Sequence, residues 1–399
     1  MIERARAGYL GILGTVVLGV AAVLGFYGRF VHPLPGLPWP LLLVPLGALL
    51  TAPLFPPSSW KGRLRLWKDP LTLGAYLLLA GLFFFLAFLL SLLGLDLLLR
   101  PPGLLGRLFF PLSLLAPLGR LLPAPPGDLL LALGLATAAT LWGVVEAAWV
   151  RVVRVTLRSP RIPPGTERLR VVQISDLHLG LIHDLRFLHR LVRKIRLLKP
   201  DLLVSTGDLV DGSLEGQEDV ADLIREIRPR LGALAVTGNH EFYAGLEEAL
   251  AFHRRCGFRV LRNEAVRVGP LWVAGVDDPG GKYGPTAPRA DEEGLLEGWG
   301  EGGRRPYVLF LKHRPVVRRG TLGRFDLMLS GHVHGGQVFP WNLLARSAYR
   351  YARGLKRLRG AGRGAFLYVS AGTGTWGPPV RLFAPPEVTV FDLFPAKRR

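Results

Sequence analysis

One cysteine stands in 399 residues, Cys256, which excludes a disulfide framework within the chain and any zinc or iron–sulfur site built on thiolates. Asparagine and glutamine are scarce, three of each, and methionine occurs twice, while proline and arginine abound. Thermolabile side chains are thus depleted, as in heat-adapted proteins. Acidic charge is short as well: 30 Asp and Glu face 50 Lys and Arg, a formal net charge of +20. With 49% of its residues hydrophobic, the chain is not predominantly disordered. Residues 1–150 are nearly free of charge, holding ten basic and five acidic side chains, and are rich in leucine. A membrane region followed by a soluble domain is expected.

A helix rises about 1.5 Å per residue, so about 20 apolar residues cross a hydrocarbon layer of roughly 30 Å. Ala7–Gly28, Leu37–Phe55, Leu71–Leu95 and Leu129–Val150 meet that length. Leu108–Gly119 is short and carries Pro111 and Pro117, which fits a re-entrant segment or a fifth span. The apolar run behind Arg4 and Arg6 exceeds a secretory signal core, so an uncleaved helix is expected there. Lys61, Arg63, Arg65 and Lys68 follow the second span, and Arg151, Arg154, Arg158 and Arg161 follow the last. Four spans put both clusters on the cytoplasmic side, giving a multi-pass cell-membrane protein with its soluble domain in the cytoplasm; a fifth would reverse that domain. Asp96, Asp128 and Glu146 lie near span ends, where interfacial placement is expected rather than a transport pathway. The organisation read from the sequence is 1–150 transmembrane helices, 151–167 basic linker and 168–399 soluble domain.

From Arg168 on, short apolar runs alternate with helical spacing, the α/β signature. The early runs end in polar clusters: Leu169–Ile174 before SDLHLG, Leu202–Ser205 before TGDLVDG, Ala233–Val236 before TGNHEFY, Tyr307–Leu311 before KHRP, Leu327–Leu329 before SGHVHGGQ. Asp176 and His178 stand two apart in an extended segment, so both side chains point to one side, and His332 and His334 repeat that spacing. Asp208, Asn239 and His313 each follow a separate strand. Seven oxygen and nitrogen donors are too many for one ion and suit two adjacent metals of the Mn, Fe, Zn or Ni kind, with the Asp208 carboxylate able to bridge.

These residues resemble the calcineurin-like metallophosphoesterases, whose blocks stand here in order: DLH at Asp176–His178, GDLVD at Gly207–Asp211, GNHE at Gly238–Glu241, His313, and GHVH at Gly331–His334. GGQ at Gly335–Gln337, SAGTG at Ser370–Gly374, Arg381 and PPE at Pro385–Glu387 are similar to the membrane-associated branch, some members of which cleave UDP-2,3-diacylglucosamine. The resemblance implies a four-layer α/β/β/α sandwich, here preceded by an all-α transmembrane region. It also implies two divalent cations. One is held by Asp176, His178, Asp208 and His334, the other by Asp208, Asn239, His313 and His332. His240 is left free to protonate the leaving ester oxygen while a metal-activated hydroxide attacks phosphorus. Asp211 and Glu241 are expected to orient the loops behind the ligands.

Arg314 and Arg381 are candidates to clamp a substrate phosphate. Asp277 and Asp278 either belong to the branch's paired aspartates or form a turn before Pro279. Lys312 stands where relatives often carry Ser and would alter charge near the second metal. His183, His189 and His253 are expected to be exposed, and Cys256 to be a small buried hydrophobe. Val338–Arg359 interleaves aromatic and leucine side chains with six basic ones, a composition suited to an anionic bilayer surface. The function expected is that of a membrane-anchored phosphodiesterase or pyrophosphatase acting on an amphiphilic phosphorylated substrate. The alternatives are a transporter or sensor with a regulatory phosphoesterase domain, and a nuclease or nucleotide phosphodiesterase. The basic excess near the membrane is better accounted for by lipid than by nucleic acid.

Overall fold

Two long helices come first, α1 at Pro70–Leu99 and α2 at Gly127–Ala148. They coincide with the third and fourth expected spans, and both are long and apolar enough to cross a membrane. The hydroxyls of Ser91, Thr137 and Thr140 donate back to the carbonyls of Ala87, Leu133 and Ala136, so they need no water. The computed structural model describes residues 70–99, 127–180, 185–212, 214, 217–280, 288–297, 305–358 and 365–396. The other expected spans, Ala7–Gly28 and Leu37–Phe55, and the segment Leu108–Gly119 lie outside them. The chain divides into two compact units, one of them including Val145–Arg399, so the last turn of α2 belongs with the α/β domain that follows.

The expected basic linker 151–167 begins instead as a strand, β1 at Arg151–Ser159, and this corrects the sequence reading. Arg151, Arg154, Thr156 and Arg158 are exposed while Val153, Val155 and Leu157 pack inward, a period-2 pattern that the arginines disguise as a solvated linker.

The remaining elements are β2 (Leu169–Ile174), α3 (Leu185–Leu198), β3 (Leu202–Ser205), α4 (Glu218–Arg225), β4 (Ala233–Ala235), α5 (Asn239–Ala244), α6 (Leu246–Arg255), β5 (Phe258–Val260), β6 (Glu264–Val268), β7 (Leu271–Gly275), α7 (Glu292–Leu295), β8 (Tyr307–Leu311), β9 (Leu327–Ser330), α8 (Trp341–Ala348), β10 (Gly354–Leu358), β11 (Ala365–Val369) and β12 (Glu387–Pro395). They form two six-stranded sheets, ordered β1-β12-β2-β3-β4-β5 and β10-β11-β9-β8-β7-β6. Each has a parallel centre, β2 to β5 in the first and β7, β8, β9 and β11 in the second.

Alternation sorts the continuous apolar runs into three layers. Leu169, Val171, Leu202 and Val204 of the first sheet meet Val273, Leu309, Leu311 and Leu329 of the second between the sheets. The opposite faces, Val172, Ile174 and Leu203, pack under Leu188, Leu191, Val192 and Ile195 of α3. Val308, Phe310 and Met328 are covered by Phe325, Leu296 and the segment around α8. This is the α/β/β/α sandwich, and the parallel strands of both sheets carry the ligand-bearing loops at their C-terminal ends, where α/β sheets bind ligands.

Candidate metal centre

Five loops converge beyond β2, β3, β4, β8 and β9. Asp176, His178 and His334 bring one ligand atom each into a first cluster, and Asp208, His313 and His332 into a second. The Asp208 carboxylate stands between them, its Oδ2 3.1 Å from His313 Nε2 and 3.9 Å from His178 Nε2. Six of the seven expected donors are thus gathered, and Asn239 is buried at the start of α5 with its Oδ1 unbonded among the described residues.

Two imidazoles are held from outside the cluster. His313 Nδ1 lies 2.8 Å from the Thr206 carbonyl, and His332 Nε2 lies 2.9 Å from the Tyr349 hydroxyl. Their other nitrogens, His313 Nε2 and His332 Nδ1, face each other at 3.1 Å. His178 Nε2 and His334 Nε2 likewise meet at 3.0 Å. Inward-facing nitrogens with an unpartnered amide oxygen and buried carboxylates are a donor set that fits divalent cations, with outer partners orienting the rings.

Burial pushes His332 down to about 3 and holds His334 well below the ordinary histidine range. His313, despite burial, is raised to about 10 by Asp208. Burial raises Asp176, whereas Asp208, against the same burial, is held well below the carboxylate range by His313 and His240. A cation would displace the proton on His313, as metal binding requires.

The backbone is bent to make this possible. Asp176, His178, Asp208, His332 and His334 all have φ between 51° and 73°, the left-handed region that non-glycine residues seldom occupy. Two glycines have a steric reason: a Cβ on Gly238 would lie 2.1 Å from Asp208 Oδ1, and one on Gly331 would lie 1.9 Å from Ser175 Oγ.

His240 sits beside the cluster, its ring edge-on to His178 at 4.6 Å between centroids. Its Nδ1 is 2.9 Å from Asp211 Oδ1, and one of its ring nitrogens lies in a further ligand group with His178 and Asp208. Burial opposes the charge, yet Asp211 and Asp208 raise this imidazole to about 9, so it carries a proton at neutral pH. Glu241 accepts from the backbone N–H groups of Gly238 at 2.6 Å, Leu209 at 2.8 Å and Asp208 at 3.0 Å, pinning two ligand loops to each other. Asp211 and Glu241 therefore lie behind the ligands.

The two arginines behave otherwise. Arg381, a candidate phosphate clamp, is completely buried, and its donors go to the carbonyls of Gly374, Ala371, Ala384 and His334 and to His334 Nδ1. A guanidinium so committed cannot grip substrate, and it serves instead to hold the His334 loop. Arg314 is bound by Asp278 at 2.8 and 3.1 Å and donates to the Gly280 carbonyl, while its side chain stays 31% exposed. Asp278 thus forms a turn, through the Gly280 N–H, and anchors Arg314; Asp277 pairs with Arg262 and Thr237. Lys312 does not reach the second cluster, because Glu292 and the Val316 carbonyl take its ammonium.

His253 is the clearest miss. Expected at the surface, it is fully buried against Glu241 at 3.3 Å, since α6 turns Ala249, Leu250, Phe252 and His253 inward together. That spacing was available in the sequence. His189 is exposed, Cys256 is buried, and His183 lies outside the described residues. The SAGTG segment clamps the first ligand loop: Thr373 N–H and Gly374 N–H donate to the carbonyls of Ser175 and Asp176.

Two sheets delivering two clusters joined by one aspartate define a dinuclear hydrolase. The family model for calcineurin-like phosphoesterases matches residues 169–336. A metallophosphoesterase of Aquifex aeolicus is 40% identical over 251 residues, covering 62% of this chain and 94% of that one. One from Campylobacter jejuni is 32% identical, covering 58% and 61%. A transmembrane protein with a metallophosphoesterase domain, from Bos taurus, is 32% identical over 280 residues, covering 66% and 62%. The chain thus spans about three fifths of the last two. It belongs to the calcineurin-like metallophosphoesterases, enzymes that use two divalent metal ions, and its clusters suit that pair.

Proposed function

We propose that this chain is a membrane-anchored phosphoesterase that hydrolyses a phosphodiester or pyrophosphate bond of an amphiphilic, lipid-linked substrate at the cytoplasmic face of the membrane. The observation that carries the hydrolytic part is Asp208 within reach of His178 of the first cluster and His313 of the second, with His240 held beside it by Asp211. Asp176, His178, Asp208 and His334 would hold one metal and Asp208, Asn239, His313 and His332 the other. When bound, such a pair supplies a low-pKa water as nucleophile and neutralises charge on the phosphoryl oxygens. Asp211 keeps the His240 proton at Nδ1 oriented and the imidazole charged, so that Nε2 delivers its proton to the departing oxygen. Glu241 keeps the Asp208 and Asn239 loops in register, and Arg381 does the same for the His334 loop. Two apolar helices ahead of the domain and the transmembrane relative support the anchoring.

The test is a metal-reconstituted screen of bis-p-nitrophenyl phosphate, p-nitrophenyl phosphate and lipid-linked pyrophosphates. Asp208→Ala should lose metal and turnover together. His240→Ala should keep its metal and lose about 10²–10⁴ in rate, chiefly on poor leaving groups. Equal metal loss in both variants would overturn the division of roles.

A further inference from the structure

Exposed apolar side chains gather on one rim of the catalytic domain. Phe339, Leu343, Leu344, Trp376 and Phe383 are exposed by 36%, 53%, 53%, 47% and 67%, and they come from segments well separated in sequence. The fold knits them into one surface. Phe339 and Phe383 stack edge-on at 6.1 Å, the Phe339 N–H donates to the Leu382 carbonyl, and the Gln337 side chain exchanges two hydrogen bonds with the backbone of Trp376. α8 then carries Leu343 and Leu344 onward from Phe339. Trp376 is also 6.2 Å from the His240 ring, so this rim borders the reaction centre.

Phe383 is presented at some expense. Its φ is 60°, unfavourable for an aromatic residue, and it is held there by hydrogen bonds on both sides. Leu382 N–H donates to the Gln337 carbonyl, and Phe383 N–H donates to the carboxylate of Glu146 at 2.9 Å. Glu146 is itself buried, in the last turn of α2, and is followed by the exposed Trp149 and Arg151. An aromatic ring and then a cation at the end of an apolar helix mark a membrane–water interface. The Glu146 bond thus ties the Phe383 turn to the end of α2, three positions before Trp149.

Charge points the same way. From Val338 to Pro386 the sequence has eight Lys and Arg and no Asp or Glu. Arg346 and Arg350 are exposed next to the rim. An apolar patch with the exposed Arg346 and Arg350 beside it matches an anionic leaflet.

We infer that Phe339, Leu343, Leu344, Trp376 and Phe383 form a bilayer-docking surface, pinned by Glu146 to the end of α2, that seats the reaction centre in the headgroup layer of an anionic membrane. The inference rests on the membrane-anchored reading proposed above and gives it a contact surface. It corrects the expectation that Val338–Arg359 acts as one amphipathic unit: Tyr349 and Tyr351 pack into the domain, and the membrane-facing residues include two from beyond that segment.

The experiment uses the full chain in nanodiscs of mixed phosphatidylglycerol and phosphatidylcholine. Single cysteines at Leu344→Cys and Phe383→Cys, with Leu197→Cys on α3 as the exposed control, receive an environment-sensitive fluorophore. Cys256 is buried and its thiol is pushed up by burial, so it stays unlabelled. Labels at 344 and 383 should be quenched by doxyl lipid and shielded from iodide about fivefold more than the label at 197, as interfacial insertion requires. Quenching by iodide as strong as at 197 overturns the inference, and so does shielding from both quenchers, which would mean a protein partner or a second copy. Turnover of bis-p-nitrophenyl phosphate is followed in the same samples. Normal turnover with water-exposed labels refutes the docking surface alone, whereas metal-loaded protein without turnover refutes the enzymatic reading whatever the labels report.

Discussion

Glu241 offers the sharpest test of how the centre is held. The carboxylate is completely buried, accepts from three backbone N–H groups at 2.6–3.0 Å and faces the buried His253. Glu241→Ala leaves those three donors with no acceptor. At about 1–3 kcal/mol for each buried group left unpaired, the loss is about 3 kcal/mol even at the low end. That is a large share of the 5–15 kcal/mol typical of a folded domain. Because the donors belong to Gly238, Asp208 and Leu209, the damage falls on the loops bearing Asp208 and Asn239. Metal affinity should drop by about 10–100-fold, as it does when ligand-orienting partners are removed. Glu241→Gln keeps one acceptor oxygen and should lose roughly half as much. Metal content by mass spectrometry, with hydrogen exchange over residues 205–211 and 236–243, reads both effects. A Glu241→Ala protein that retains two metals at unchanged affinity with unchanged exchange would refute the reasoning.

Other perturbations should separate steric from electrostatic roles. Gly331→Ala drives a Cβ to 1.9 Å from Ser175 Oγ and 2.2 Å from Asp176 Oδ2, so Asp176 must shift by about 1 Å. Turnover should fall about 10²-fold, and a rate within twofold of the parent would show that the loop yields without consequence. Asp211→Asn removes the anion that holds the proton on His240. It should leave metal content intact and slow hydrolysis of alkyl esters by at least about tenfold, with a smaller effect on p-nitrophenyl leaving groups; equal slowing of both classes would contradict the proton-donor role.

The ligand loops were legible because each block is local: a strand, a turn and one or two donors within six residues, such as Gly207–Asp211. Their meeting was legible only through the order of the blocks, since no single one fixes it. What escaped depends on partners far along the chain. β1 was disguised by its arginines and owes its existence to β12, more than 200 residues away. The short strands β5, β6 and β10 at or near the sheet edges have few apolar positions to announce them. Arg381 was misjudged for a related reason: an arginine near a phosphate site reads as a clamp until the four carbonyls around it are placed. Lys312 likewise turns away because Glu292, twenty positions earlier, takes its charge.

Five of the residues gathered around the centre adopt left-handed turns at about 1–3 kcal/mol apiece. A polypeptide does not keep such kinks unless something rewards it, and a pair of cations held by these side chains would supply that reward. Starved of them, the ends of β2, β3 and β9 would be the first places to loosen, and a protease would find its opening there. Cellular metal supply would then govern how long each copy survives as well as how fast it works.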